Sequence, residues 1–291
     1  MNYKIFSLPV VSAFFLLCQP GFAQDTIETL QSRIVKYSPA PDSQSEAHFY
    51  LETEGRVARV AADQPGLSEK LETAFFKDEI VTVSLKDMGD HDEVVALETA
   101  PAPVASFLEV GTEPSDLATD ATTLNYVPSD LGTFERANGI FAGLHNRFTR
   151  RSECFQRAHI WAYQMSRVQI NSMKVFLFFT EKYIRGYNYK WWFHVAPFVY
   201  VDGVQHVMDR SFTAKPLVMQ EWTNHFMKNR AVCPTIRTYS DYSRNEYAAY
   251  CFLAKLPMYY YNPLDLQRLE RGIELTEFQT SHLNNARRAV R

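Results

Sequence analysis

The stretch "KWWFHVAPFVYVDGVQHVMDR", Lys190–Arg210, sets the architecture of the C-terminal half and holds four polar candidates for chemistry: His194, Asp202, His206 and Asp209. Asp-Gly between two alternating apolar runs predicts a hairpin, because a two-residue turn of this kind needs positive φ at both central positions. With the turn at Asp202-Gly203, Val201 pairs with Val204. Counting back, Ala196 falls opposite Asp209 and His194 opposite Ser211, which makes His194 and Asp209 diagonal neighbours on one face. His206 pairs with Val199 and points to the other face, and Asp202 is used up in the turn. A longer loop, or a bulge near Pro197, would shift this register.

Upstream, "SECFQRAHIWAYQMSRVQ" (152–169) predicts a helix, with Phe155, Ala158, Ala162 and Met165 on one stripe and Ser152 as its N-cap. Cys154 then lies in the first turn, where unpaired backbone N–H groups and the helix dipole favour a thiolate. "MKVFLFF" (173–179) reads as a buried strand, and "KPLVMQEWTNHFMKN" (215–229) as a helix with Pro216 near its start. "LGTFERANGIFAGLHNRF" (131–148) reads as a helical or irregular lead-in. The aromatic runs Trp191–Phe193 and "MYYYN" (258–262) read first as packing, with a rim for an extended substrate as the alternative for the former.

The N-terminal half is different in kind. Residues 1–23 carry Lys4, an interrupted apolar run and small or turn-forming residues up to Ala23, the pattern of a secretory signal peptide cut after about Ala23. The run is too short for a stable membrane span, so a secreted or periplasmic product is expected. Residues 24–46 read as a flexible polar leader. From His48, "HFYLETE", "RVARVA", "PGLSEKLETAFF", "EIVTVSL" and "EVVALET" predict a β-β-α-β-β unit over 47–99. "APAPVASFLEVGTEPSDLATDATT" (100–123) then reads as a linker.

Composition narrows the function. A net charge of −3 gives no basic footprint for nucleic acid, and 46% hydrophobic with 14% aromatic residues supports a true core rather than disorder. Without Cys18 in the leader, three cysteines remain in an oxidising compartment, which leaves one thiol over. Cys233 and Cys251 lie close enough in sequence for a local bridge, and Cys154 is left free. The eight histidines never fall at paired ligand spacing with cysteine, so no metal is expected. His159 is expected to support the core rather than act as a base.

The motifs "CFQRAH" (154–159), "KVF" (174–176), "WWFHVAP" (191–197) and "VMDRSF" (207–212) resemble those of the bacterial protein-glutamine glutaminases. That family's signature is similar to Cys-x-x-Arg-Ala-His, a Trp-aromatic-His-Val-Ala-Pro strand and a following strand ending in Asp-Pro-Ser. The likeness spans about residues 150–225 and, more loosely, the C-terminal helices. It implies an exported amidohydrolase that converts glutamine side chains of proteins or peptides to glutamate with release of ammonia, without a cofactor. Cys154 would be the nucleophile, His194 the base and Asp209 the group that orients it. The order Cys…His…Asp, nucleophile on a helix and base on a sheet, is that of papain-like and transglutaminase-like enzymes.

The expected fold class is therefore α+β: a papain/transglutaminase-like catalytic domain over 121–291, preceded by a small β-rich α+β domain and linker over 24–120. The resemblance implies that 24–120 is a pro-region covering the active site, an ordinary accessory domain being the open alternative. Arg210 stands where the family usually has proline, so the local turn and substrate rim should differ. A papain-like cysteine peptidase or a transglutaminase would share the triad. An exported binding protein on the same fold is the non-enzymatic alternative. The expected partners are glutamine-bearing proteins, met by a monomer with no nucleic acid and no stable membrane insertion.

Overall fold

Two β-sheets organise the chain in a computed structural model that describes residues 27–99, 126–148 and 152–290. The signal peptide and the linker expected from sequence lie outside the described residues. The first sheet is a closed barrel of β1 (Ile27–Ser38), β2 (Ala47–Leu51), β3 (Val57–Val60), β4 (Ile80–Asp87) and β5 (Asp92–Thr99), in the order β1-β2-β3-β5-β4. Helix α1 (Pro65–Phe76) follows β3, with Pro65 at its start. The β-β-α-β-β pattern over 47–99 is thus observed, but the flexible leader expected over 24–46 is not. Its place is largely taken by β1, which pairs with both β2 and β4 and closes the barrel. Leu30, Ser32 and Ile34 turn inward at period two, while the polar residues between them face outward and disguise the pattern.

The second half follows as α2 (Phe134–Gly143), α3 (Cys154–Ser166), β6 (Met173–Phe179), α4 (Glu181–Tyr187), β7 (Phe193–Val201), β8 (Val204–Val207), β9 (Leu217–Val218) and α5 (Met219–Met227). It ends with β10 (Thr235–Ile236), α6 (Tyr239–Arg244), β11 (Cys251–Pro257), α7 (Leu264–Glu270) and α8 (Thr280–Ala289). The six strands form one sheet, β10-β11-β6-β7-β8-β9, antiparallel except between β10 and β11. Helix α3 packs on β7, and α8 packs on α3. Strand β6 is buried along nearly its whole length, as its unbroken apolar run requires. Cys233 and Cys251 form a disulfide that ties the loop before β10 to the start of β11. Mixed helices and sheets make the fold α+β.

The barrel docks on the second sheet through one seam. Phe49 and Leu51 point into the barrel core, whereas Tyr50 and Val57 belong to the core of the other half. The Val57 N–H donates to the Lys190 carbonyl (2.7 Å), and the Trp192 N–H donates to the Gly55 carbonyl (2.8 Å). The Trp192 indole N–H donates to the Leu51 carbonyl (2.9 Å). Gly55 has φ +65°, and a Cβ there would stand 2.6 Å from the Phe193 ring. Only glycine fits this approach without displacement. Beside it, Tyr50 donates to the buried Glu181 carboxylate, and His48 Nδ1 lies 3.1 Å from the same group.

Candidate active site

Helix α3 starts at Cys154, within one residue of the position expected. Its N-cap is Glu153 rather than Ser152, and the Glu153 N–H donates to the Gln156 side chain (2.9 Å). This is half of a reciprocal capping box, which satisfies donors that the first helical turn would otherwise leave open. The Ser152 carbonyl accepts instead from the Arg157 guanidinium. Phe155, Ala158, Ala162 and Met165 are all buried, as the stripe predicts.

Cys154 is a free thiol, 8% exposed, set against β7, where the Val195 N–H points to its sulfur. Its titration runs opposite to the expectation from a helix start. Burial pushes the thiol up to about 12, against the lowering effect of Arg157. Desolvation of a thiolate outweighs the field of the helix end when no water reaches the sulfur.

The hairpin has the register read from its turn. Val201 pairs with Val204, Val199 with His206 and Phe198 with Val207. The Met208 N–H bonds the Pro197 carbonyl, which carries the same register past the end of β8. Asp202 (φ 49°) and Gly203 (φ 73°) are both left-handed. The Asp130 carboxylate accepts their N–H groups at 3.0 and 2.9 Å. His206 faces away, with Nδ1 3.0 Å from the Val204 carbonyl and its ring near Phe134.

The structure brings His194 and Asp209 together, with Nε2 2.7 Å from Oδ2. Asp209 is fully buried. The Trp222 indole N–H donates to the same Oδ2 (2.9 Å), and the Ser211 N–H donates to Oδ1 (3.1 Å). Burial alone would raise this carboxyl, but His194, through its charge and hydrogen bond, with Trp222 and Ser211, holds it below its ordinary value.

Three groups around this pair had no forecast in the sequence. Trp222 and Phe226, one turn apart on α5, lie with ring centroids 5.8 and 4.7 Å from His194, and Phe212 stands edge-on at 4.9 Å. Their i, i+4 spacing was visible, but not which residue the pair would meet. Helix α5 begins at Met219, three residues after Pro216, because Leu217 and Val218 first pair with β8. Arg157 Nε donates to Ser211 Oγ (2.8 Å), linking the helix of Cys154 to the loop after Asp209. Arg210 Nη1 donates to the carbonyls of Phe141 (2.8 Å), Ala142 (2.5 Å) and Leu144 (3.2 Å), capping the end of α2.

His159 lies in the core. Its Nδ1 is 2.7 Å from Lys174 Nζ, and its ring meets Tyr261 edge-on. Burial pushes the Lys174 amine down to about 7. Tyr260 and Tyr261 are buried packing residues, as are Trp192 and Phe193. On the other side of Cys154, the Glu153 carboxyl is pushed up to about 8 by burial, while the Glu54 N–H donates to it. A cleft of about 490 Å3 opens here between Glu52 and Thr53 of the barrel and Glu153, Phe155, Tyr261 and Arg288. Among the described residues, no group of three or more His, Cys, Asp or Glu side chains is placed to hold a metal ion.

Comparison with known families bears on this same span. Residues 137–226 match the family model described as "Glutaminase". The matched segment holds Cys154, His194, Asp209 and Trp222 and leaves the barrel outside the match. No curated protein matches the chain.

Among solved structures, the chain is similar to a crystal structure of pro-protein-glutaminase, with 14% identity, 81% of this chain and 84% of that chain covered, and a TM-score of 0.46. Its A47Q2 mutant gives 15% identity, 82% and 86% coverage, and 0.47. The NMR structure of protein-glutaminase from Chryseobacterium proteolyticum gives 14% identity, 54% and 84% coverage, and 0.34. No helix among the described residues is long and apolar enough to cross a membrane.

Proposed function

We propose that this glutaminase acts on glutamine side chains of proteins or peptides, with Cys154 as nucleophile, His194 as general base and acid, and Asp209 as its orienter. The observation that carries this reading is the His194–Asp209 hydrogen bond beside a helix-start cysteine, all inside the glutaminase segment. Asp209 occupies Nε2 of His194, so Nδ1 is the nitrogen left for proton transfer.

In the first half-reaction His194 takes the thiol proton and Cys154 Sγ attacks the γ-carboxamide carbon. His194 then gives that proton to the departing nitrogen, so ammonia leaves and a thioester remains. In the second, water attacks the thioester while His194 accepts its proton. Collapse releases glutamate, and the proton returns to sulfur. Asp209 holds the tautomer and stabilises the imidazolium throughout. The backbone N–H of Cys154, at the open start of α3, is one donor for the oxyanion.

The described state fits a latent enzyme. The loop from Leu51 to Arg56 lies against Glu153 and Phe193, the residues that directly precede Cys154 and His194. Cys154 is buried with its thiol pushed up, which a nucleophile waiting for substrate would not be. We therefore assign 24–120 as a removable inhibitory segment and 121–291 as the catalytic domain, in a protein exported by residues 1–23.

Ammonia release from a glutamine-bearing protein, measured before and after proteolysis between residues 100 and 120, tests the assignment. The reading expects ammonia to rise after cleavage and to vanish in Cys154→Ala. Cleavage of the substrate chain without ammonia would mark a peptidase, and incorporation of an added amine would mark a transglutaminase.

A further inference from the structure

The hydrogen bonds around Asp209 leave one participant unexplained by the three proposed catalytic groups. Among the described residues, three donors reach this carboxylate, and two of them, His194 Nε2 and Trp222 Nε1, share a single oxygen. Three donors on one carboxylate favour its ionised form, because each bond is stronger to the charged acceptor. Trp222 is fully buried, and so is Asp209. Apolar packing alone asks for no N–H at this position, and an indole N–H left open there would itself cost stability. The residue type is explained by what the N–H meets.

The backbone shows how Trp222 is delivered. Strand β9 pairs with β8 through His206–Val218 and Val207–Leu217, on the same hairpin that carries His194 and leads to Asp209. Helix α5 starts at the next residue, and one turn later Trp222 reaches Asp209 while Phe226 covers the His194 ring. One short helix, pinned at the sheet edge, thus supplies a hydrogen bond to the carboxylate and apolar cover for the imidazole. Both act on the same bond: they fix the plane of the carboxylate and keep water from the Nε2–Oδ2 contact.

We infer that Trp222 is a positioning residue for the reaction, holding Asp209 ionised and in line with His194 so that His194 keeps its proton on Nε2 and presents Nδ1. This role rests on the proposed function for its chemistry but not for its geometry. If the indole N–H is lost, Oδ2 keeps only the imidazole. The carboxylate then takes up a proton at higher pH. A protonated Asp209 no longer orients the imidazole, so the working pair is lost from the acid side.

The test has an arm that does not need activity. In the full chain with 15N-labelled tryptophan, the indole N–H assigned by Trp222→Phe should exchange slowly with solvent and shift in Asp209→Asn. An indole N–H that exchanges like an exposed one, or ignores Asp209→Asn, overturns the inference. For the reaction, Trp222→Phe should lower kcat for ammonia release about 10- to 100-fold, the scale of a hydrogen bond to a charged group. KM should stay unchanged, and the acid limb of kcat/KM should move to higher pH. A loss of kcat with the acid limb in place, or a rise in KM alone, also overturns it.

Should Trp222→Phe fail to fold, 3-benzothienylalanine at position 222 keeps the ring shape and removes only the N–H, with the same outcomes expected. A wild-type enzyme with no ammonia release after proteolysis would instead fail the proposed function, and leave the indole measurement to decide the geometry.

Discussion

The barrel and the six-stranded sheet are made from similar alternating strands, but they bury different things. Inside the barrel lie Ile34, Phe49, Leu51, Val83 and their apolar neighbours, while its buried titratable groups face the other half: Arg56 with Asp92 at the end that meets Trp191, His48 toward Glu181 and Arg59 toward Asn188. The sheet instead buries His194, Asp209, Lys174 and His159 among Phe and Trp rings. An apolar core ties stability to area and packing alone. Buried ionisable groups tie it to protonation and exact a desolvation cost that their partners must offset. On the proposed reading the chemistry lies in the sheet and the barrel acts as a cover, whose polar groups matter where the two meet.

The largest effect expected from breaking this contrast is at the sheet. Asp209→Asn should lower kcat for ammonia release by about 10^4, because the amide favours the wrong imidazole tautomer. A loss below tenfold would make Asp209 a structural carboxylate.

Next, replacing both Cys233 and Cys251 by serine should lower stability by about 3 kcal/mol, the scale for a closed loop of this length. Denaturant unfolding should show that loss with the barrel transition unmoved. An equal loss in both halves would mean that the two unfold as one unit.

Gly55→Ala attacks the seam itself. The added methyl meets Phe193 and the left-handed backbone disfavours it, for a cost of about 2 kcal/mol. Limited proteolysis should then release the barrel sooner, and ammonia release by the uncut chain should rise. Unchanged protection would show that the seam is held elsewhere, for instance by Glu181 and its partners.

The smallest effect concerns pH at the same seam. The Glu153 carboxyl is pushed up to about 8 by burial, with Glu54 and Glu52 adding repulsion. An acid whose pKa is raised on docking favours the docked state below its ordinary value of 4.5. That contribution is lost as pH rises toward about 8. Protease sensitivity of the seam should therefore grow across that window in the wild type and stay flatter in Glu153→Gln. A slope that Glu153→Gln leaves unaltered would assign it to another group.

Much of the site could be read in the chain because the information there is local. Asp202-Gly203 fixes the hairpin register, and the register alone places His194 beside Asp209. The start of α3 follows from the apolar stripe, and Glu153 rather than Ser152 caps it because Gln156 stands three residues on to complete the box. Strand β1 was hidden by the polar residues on its outer face. Trp222 was hidden because an amphipathic helix with Trp and Phe one turn apart reads the same whether the indole meets carbon or carboxylate. The protonation of Cys154 was out of reach for another reason: it depends on burial against β7, where the Val195 N–H meets the sulfur. Such non-local burial leaves no trace in the spacing around the cysteine.

The central claim is that Cys154, served by His194 and Asp209, removes ammonia from protein-bound glutamine once the barrel is released. The most direct measurement follows ammonia and the glutamine-to-glutamate change in a protein substrate, for the cleaved wild-type chain and the cleaved Cys154→Ala chain side by side. The account predicts both products from the first and neither from the second. Equal ammonia from the two, or an intact glutamine side chain under the wild type, would contradict it.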